Sequence, residues 1–251
     1  MSKTLILVEG AKTDIKLMTH ILKLYEISSE HEIVSYNTNI YTLYKEMFEN
    51  NDPETLDLLQ VLKEHEHDET KKKIFNERYS DILLVFDLDP QDNLFNRNKI
   101  LKMLEYFHES SDMGKLYINY PMVESFYHMK SIPDNEYDSY KSSLSELKAG
   151  QYKQRVNREN RNHDHTKFAT DRIECNIVIK QNLEKAYKLV GEIYDVLSAP
   201  DDKKILIRQL AELEQHSSVF VLCTCIFYIV DYNPKLISDD CCTKNLRKIP
   251  E

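Results

Sequence analysis

Asp81-Ile82-Leu83-Leu84-Val85-Phe86-Asp87-Leu88-Asp89 is an apolar run of strand formers that ends in two carboxylates. An unbroken run of this kind, without polar alternation, is what a strand buried on both faces of a parallel sheet requires. Burial does not account for the acids at its end. Thr4-Leu5-Ile6-Leu7-Val8-Glu9-Gly10 repeats the pattern near the N-terminus, with an acid and a turn glycine after the strand formers. In an open parallel α/β sheet the carboxyl ends of the strands converge on one edge, where ligands bind. Glu9, Asp87 and Asp89 would meet there. Three gathered carboxylates suit a hard divalent cation such as Mg²⁺ or Mn²⁺.

Working outward, Ala11 to Tyr25 carries Ile15, Met18, Leu22 and Tyr25 at helical spacing, with Asp14 early, where its charge suits the positive dipole end. His31–Tyr36 reads as a second strand. Ile40–Asn50 and Pro53–His65 read as helices, the latter opening on a proline. Glu64–Lys73 is densely charged without an apolar frame, so its acids and histidines read as a solvated helix or loop rather than a metal site. A helix over Asn98–His108 and a strand over Gly114–Ile118 complete a β-α-β-α-β-α-β order. That order predicts an α/β fold, a mostly parallel sheet flanked by helices with right-handed crossovers. Beyond about residue 130 the pattern turns helical, over Ser142–Ala149, Lys167–Leu197, Asp202–Gln215 and Ser217–Val230. The expected organisation is an α/β catalytic domain over 1–130, then a mainly α-helical region over 131–251 for substrate binding or oligomerisation.

The 251 residues suffice for a large core, and 41% hydrophobic content with four Gly and seven Pro excludes extended disorder. A net charge of −9 excludes a generic basic coat for nucleic acid, but a local basic patch would be enough. Cys175, Cys223, Cys225, Cys241 and Cys242 are odd in number and lack paired C-x₂-C spacing. They read as reduced thiols of a cytoplasmic protein, not as a zinc site. The N-terminus enters a strand directly, so no secretory leader is expected. The twelve-residue apolar core Val219–Val230 falls short of the roughly 20 residues of a bilayer span, and reads as a buried helix or an oligomer interface.

Asp87 and Asp89 would share a face if the strand continued through them. Coaligned carboxylates repel unless a cation or a shared proton relieves them. The competing readings are a surface turn at Asp89-Pro90 and a first-turn helix acid at Glu9. Asp92 reads as a loop or cap residue. Further on, Lys148, Lys153, Arg155, Arg158, Arg161, Lys167 and Arg172 reverse the charge locally, with Tyr152, His163, His165 and Phe168 interleaved. Such a segment suits phosphate neutralisation and stacking on unpaired bases, or else is a solvated loop. Asn157–Asn162, rich in Asn and Arg, reads as flexible until substrate orders it. His163-x-His165 lacks the further ligands that zinc needs.

Leu5-Ile6-Leu7-Val8-Glu9-Gly10, then Asp14, then Asp87-x-Asp89, together resemble the Toprim signature, over roughly residues 1 to 120. The resemblance implies that Glu9 is a general acid/base or metal contact, that Asp87 and Asp89 are metal ligands, and that Asp14 serves a second metal position. Asn119-Tyr120-Pro121-Met122-Val123-Glu124 is similar to the Asn-Pro-x-Phe-Glu-type motif of stand-alone Toprim nucleases in bacterial phage-defence loci, the RloB and OLD types. The match is partial, with Glu three residues after Pro. It implies a catalytic role for Glu124 at a helix start; His128, four residues on and on the same helical face, reads either as holding phosphate or orienting Glu124, or as a satisfied helix histidine. The competing reading makes Glu124 a first-turn acid, with Phe126 and Tyr127 packing the core.

The function implied is a Mg²⁺- or Mn²⁺-dependent nuclease on DNA or RNA, tRNA included, serving anti-phage defence. Implied partners are the nucleic acid, bound by Lys153, Arg155, Arg158, Arg161, Lys167 and Arg172, and a separate ATPase sensor subunit. A homo-oligomer is also open, and no membrane partner is expected. None of the sixteen tyrosines stands in a topoisomerase-like context, and a primase's zinc-binding region is missing. A haloacid-dehalogenase-like site would need a basic residue after a Ser/Thr-ended strand, which the sequence lacks. The alternative class is a non-catalytic regulatory or partner-binding module that keeps the acidic cluster.

Overall fold

In the computed structural model, which describes residues 3–49, 52–111 and 113–238, the two acid-terminated runs form β1 (Thr4–Val8) and β3 (Asp81–Asp87). They pair in parallel, from Thr4 opposite Asp81 to Val8 opposite Val85. β2 (His31–Ser35) flanks β1 and β5 (Gly114–Asn119) flanks β3, again in parallel, while β4 (His108–Glu109) is a short antiparallel edge. The order is β2-β1-β3-β5-β4. Leu5 to Val8 and Leu83 to Phe86 are essentially without solvent exposure. Both faces of the sheet are covered, which is why these strands show no polar alternation. The fold is thus α/β with a mostly parallel five-stranded sheet.

α1 (Thr13–Leu24) follows β1 and buries Leu17, Met18, Ile21 and Leu22. The helix expected over Ile40–Asn50 begins as α2 (Ile40–Tyr44) and loosens into a π-turn over Lys45–Glu49. Pro53–His65 is broken. A 3₁₀ turn at Pro53–Thr55 stops, and α3 (Leu58–His65) starts afresh where the Asp57 side chain accepts the Gln60 N–H. The charged stretch holds α4 (Glu69–Ile74), capped by Asp68. α5 (Arg97–Tyr106) starts where Asn96 accepts from the N–H groups of Asn98 and Lys99.

The second portion contains β6 (Lys141–Ser143), α6 (Leu144–Lys148), α7 (Tyr152–Glu159), α8 (Arg172–Val190) and α9 (Asp202–His216). The helix expected over Lys167–Leu197 is trimmed at both ends. Asp171 caps its start, and Gly191, at φ 73°, takes the left-handed conformation that ends it. The helix expected over Ser217–Val230 does not form. Ser217 turns left-handed, and Ser218–Phe220 become β7, antiparallel to β6. Leu222 then exchanges two 2.8 Å backbone hydrogen bonds with Tyr120, a 3₁₀ turn follows over Cys225–Phe227, and α-helix resumes at α10 (Tyr228–Tyr232). An apolar run satisfies burial equally well as strand or helix, and the β-formers Val219, Phe220 and Val221 decide for strand.

The whole of Val221–Val230 is buried, and its Thr224–Phe227 part packs against the end of β5. Apolar residues of both portions thereby belong to one buried cluster. Among the described residues no helix is long and apolar enough to cross a membrane. Cys175, Cys223 and Cys225 are buried free thiols, whereas Cys241 and Cys242 lie outside the described residues.

Candidate metal centre

Glu9, Asp87 and Asp89 each place an oxygen within 4.8 Å of the other two, at the carboxyl edge of the sheet. Backbone pairing fixes the first two. The Glu9 N–H donates to the Val85 carbonyl at 3.0 Å, one step past β1. The Glu9 Oε2 in turn accepts the Asp87 N–H at 3.1 Å.

Asp89 arrives by a different route from the expected one. β3 stops at Asp87, Leu88 is fully buried, and Asp89 sits at φ 42° in the left-handed region. Asp tolerates this conformation better than most residues. The turn is held by bonds from Leu88 N–H to the Asn119 carbonyl and from Asp89 N–H to the Pro121 carbonyl. The Tyr41 hydroxyl donates to the Leu88 carbonyl, and Gln91 donates to Asp89 Oδ1. The same-face alternation expected of a continuing strand therefore fails, and a tertiary turn achieves the convergence. Asp92 is a loop residue, accepting from Asn39 and from the Leu94 N–H.

Asp14 and Glu124 face the same place, and both are nearly fully buried. Asp14, in the first turn of α1, lines a cleft of about 320 Å³ with Glu9, Asp87 and Asp89. A Cβ on Gly10 would stand 2.5 Å from Asp14 Oδ2, so any side chain here forces the buried Asp14 carboxylate to shift. Gly10→Ala is expected to destabilise the protein by about 1–3 kcal/mol, as overpacking does. In an Asp14→Ala background the same change becomes nearly neutral, which a double-mutant cycle of melting curves measures.

Glu124 lies in a 3₁₀ turn (Val123–Tyr127), not at an α-helix start. His128 does not orient it. The His128 ring meets the Tyr152 hydroxyl at 3.2 Å and Glu159 at 3.1 Å, and burial pushes it down to about 4. The partner of Glu124 is Lys153, whose Nζ lies 3.0 Å from Oε1.

Burial is the leading cause of the unusual acidities. It pushes Glu9 up to about 8, with Asp89 and Asp14 adding to the rise and the Asp87 N–H opposing it. Asp14 rises to about 6, again from burial, held back by backbone N–H donors. Asp87 moves well upward through burial and then the Glu9 charge, and Asp89 also rises through burial. Among the described residues, Asp14 Oδ1, Asp87 Oδ1 and Glu124 Oε2 are buried and have no hydrogen-bond partner. Buried oxygens without donors are costly unless something positive meets them. An all-oxygen set fits a hard divalent cation better than zinc.

Of the basic residues expected to bind nucleic acid, Lys153 lines the cleft. Arg155, Arg161 and Arg172 are engaged elsewhere. Arg155 lies 3.0 Å from Glu146 and donates to the Lys141 carbonyl, and Arg161 makes a bidentate pair with Glu174. Arg172 donates to the Leu236 carbonyl and lies over the Tyr25 ring. Arg158 and Lys167 are exposed, beside Glu159 and Asp164. Tyr152 and Phe168 are core residues at 1% exposure, so they offer no stacking face. The Asn157–Asn162 stretch is folded rather than loose, with Asn160 fully buried and bonded to the Tyr127 carbonyl. His165 stacks on Tyr127, and among the described residues the one grouping with metal-ligand spacing is Glu9, Asp87 and Asp89.

Tyr152 also lines the cleft, and Gln91, Met122, Val123, Leu147 and Gly150, which carried no signal of their own in the sequence, complete the lining. No family model, curated protein or solved structure matches the chain.

Proposed function

We propose that this chain is a Mg²⁺- or Mn²⁺-dependent nuclease that hydrolyses phosphodiester bonds in DNA or RNA. The observation that carries the reading is the convergence of Glu9, Asp87 and Asp89 within 4.8 Å at the sheet edge where α/β ligands bind. The unpartnered oxygens of Asp14, Asp87 and Glu124 beside them support it. Asp87 and Asp89 would hold the cation, with Glu9 completing the set. A divalent cation there would supply charge stabilisation to the phosphoryl group and lower the pKa of a bound water. Lys153, at the rim, brings a positive charge to a phosphate entering the cleft.

The order Glu9-Gly10, Asp14, Asp87-x-Asp89 supports a Toprim-type assignment. With that assignment come Asp14 at a second metal position, a cytoplasmic anti-phage role and a separate ATPase partner. Purified protein with Mg²⁺ or Mn²⁺, incubated with plasmid DNA, single strands and total tRNA, tests the reading beside Asp87→Ala. Cleavage that disappears in the variant supports the nuclease. Intact nucleic acid under every metal would sink it and favour a partner-binding module.

A further inference from the structure

Glu124 is buried to 3% exposure, yet only one of its oxygens is met: Oε1 by the Lys153 ammonium at 3.0 Å, while Oε2 has no partner. The unpartnered oxygens of Asp14 and Asp87 share the same surroundings. Among the described residues lining the cleft, Lys153 is the one base, against Glu9, Asp14, Asp87 and Asp89. We infer that Lys153 is a resident counter-cation: its ammonium keeps the place beside Glu124 that a divalent ion would take, and metal entry on that side requires it to leave. The inference rests on the divalent-cation reading of the cleft.

An ammonium is a compact single charge on a flexible stem. It serves one oxygen of Glu124 and leaves its neighbours unmet, whereas a divalent ion gathers several oxygens at once. Lys153 nevertheless acts on the whole set. Its charge pulls Glu9, Asp14 and Asp89 downward against their burial. Burial alone would lower Lys153 itself, but Glu124, Asp87 and Asp89 together hold it above its ordinary value. The ammonium therefore competes with a metal for the same carboxylates.

The local build lets the side chain move without the helix. Lys153 is the second residue of α7, whose backbone is anchored by Tyr152 and Val156, each at most 1% exposed. The Lys153 side chain itself is 61% exposed, so it can swing outward while α7 stays packed. A phosphate arriving at the rim offers the ammonium another anion, and Glu124 is then released to a cation. Metal and substrate would load together by ordinary linkage.

Isothermal titration of Mn²⁺ into the metal-free protein, its Lys153→Met variant and its Lys153→Arg variant tests this without reference to cleavage. Because the Lys153 stem is exposed, both variants should fold, which melting curves check. We expect Lys153→Met to bind Mn²⁺ at least about fivefold more tightly than wild type, within the usual range of coupling between sites. Lys153→Arg, which keeps the charge, should stay near wild type. Wild-type binding with no tightening in Lys153→Met, or equal tightening in both variants, would overturn the inference and leave the metal centre standing. Absence of Mn²⁺ binding in all three proteins would overturn the metal centre and the inference with it.

Discussion

Asp87→Asn is expected to reduce metal-dependent cleavage by on the order of 10³-fold or more, yet to make the metal-free protein more stable. The two effects have one origin. Asp87 is 8% exposed, its Oδ1 lacks a partner, and Glu9 and Asp89 press like charge against it. With metal present that arrangement is a binding site. Without metal it is a buried cluster of repelling carboxyls, which relieves itself by holding protons. Asparagine keeps the size and the backbone N–H that Glu9 accepts, and removes one of the ionisable groups. At pH 8 the gain should be about 1–2 kcal/mol, the scale of one uncompensated buried polar group. For a chain of this length that raises Tm by roughly 2–8 °C. Near pH 4 Asp87, held well above its ordinary value, keeps its proton in the fold, so the two proteins should melt close together. Melts in EDTA at both pH values decide it, and a variant that melts below wild type at pH 8 contradicts the like-charge account.

How much of this site could be read in advance depends on how local each feature is. β1 and β3 were legible because a continuous run such as Leu83-Leu84-Val85-Phe86, wholly buried in the fold, reads as a two-face-buried strand. Gly10 looked like a turn signal, but its reason is the Asp14 carboxylate 2.5 Å from any Cβ, a contact across the first turn of α1. Asp89 misled because its approach depends on the carbonyls of Asn119 and Pro121, which belong to a distant strand end. In the basic segment the charges read correctly but their partners did not show. Composition displays the charges of Arg155, Arg161 and Arg172 but not the Glu146, Glu174 and Leu236 groups that occupy them. Lys153 and Glu124 each stood out as single residues, but their pairing is tertiary and left no spacing to read.

Mg²⁺ or Mn²⁺ should raise the melting temperature of the wild-type protein, and the rise should grow with pH up to about 8. The sign follows from the carboxyls. Glu9 rises from an ordinary 4.5 to about 8 on folding, and Asp14 from 3.8 to about 6, both chiefly by burial. A folded state that holds protons more tightly than the unfolded chain loses stability as pH rises. For the metal-free protein that loss runs from about pH 4, where the unfolded acids begin to ionise, to about pH 8, where Glu9 follows in the fold. A metal ion needs the ionised forms, so its binding releases protons and strengthens across the same interval. At a concentration near 100 times Kd, binding to the folded state adds about 2.7 kcal/mol. That corresponds to roughly 5–11 °C in a chain of this size. At pH 5 the same metal should move Tm much less, and in Asp87→Asn it should move Tm little at any pH. Thermal melts across pH 5 to 8, with metal and with EDTA, give the whole surface. A metal-induced shift equal at pH 5 and pH 8 would mean that the ion binds elsewhere, at acids that are already ionised, and not between β1 and β3.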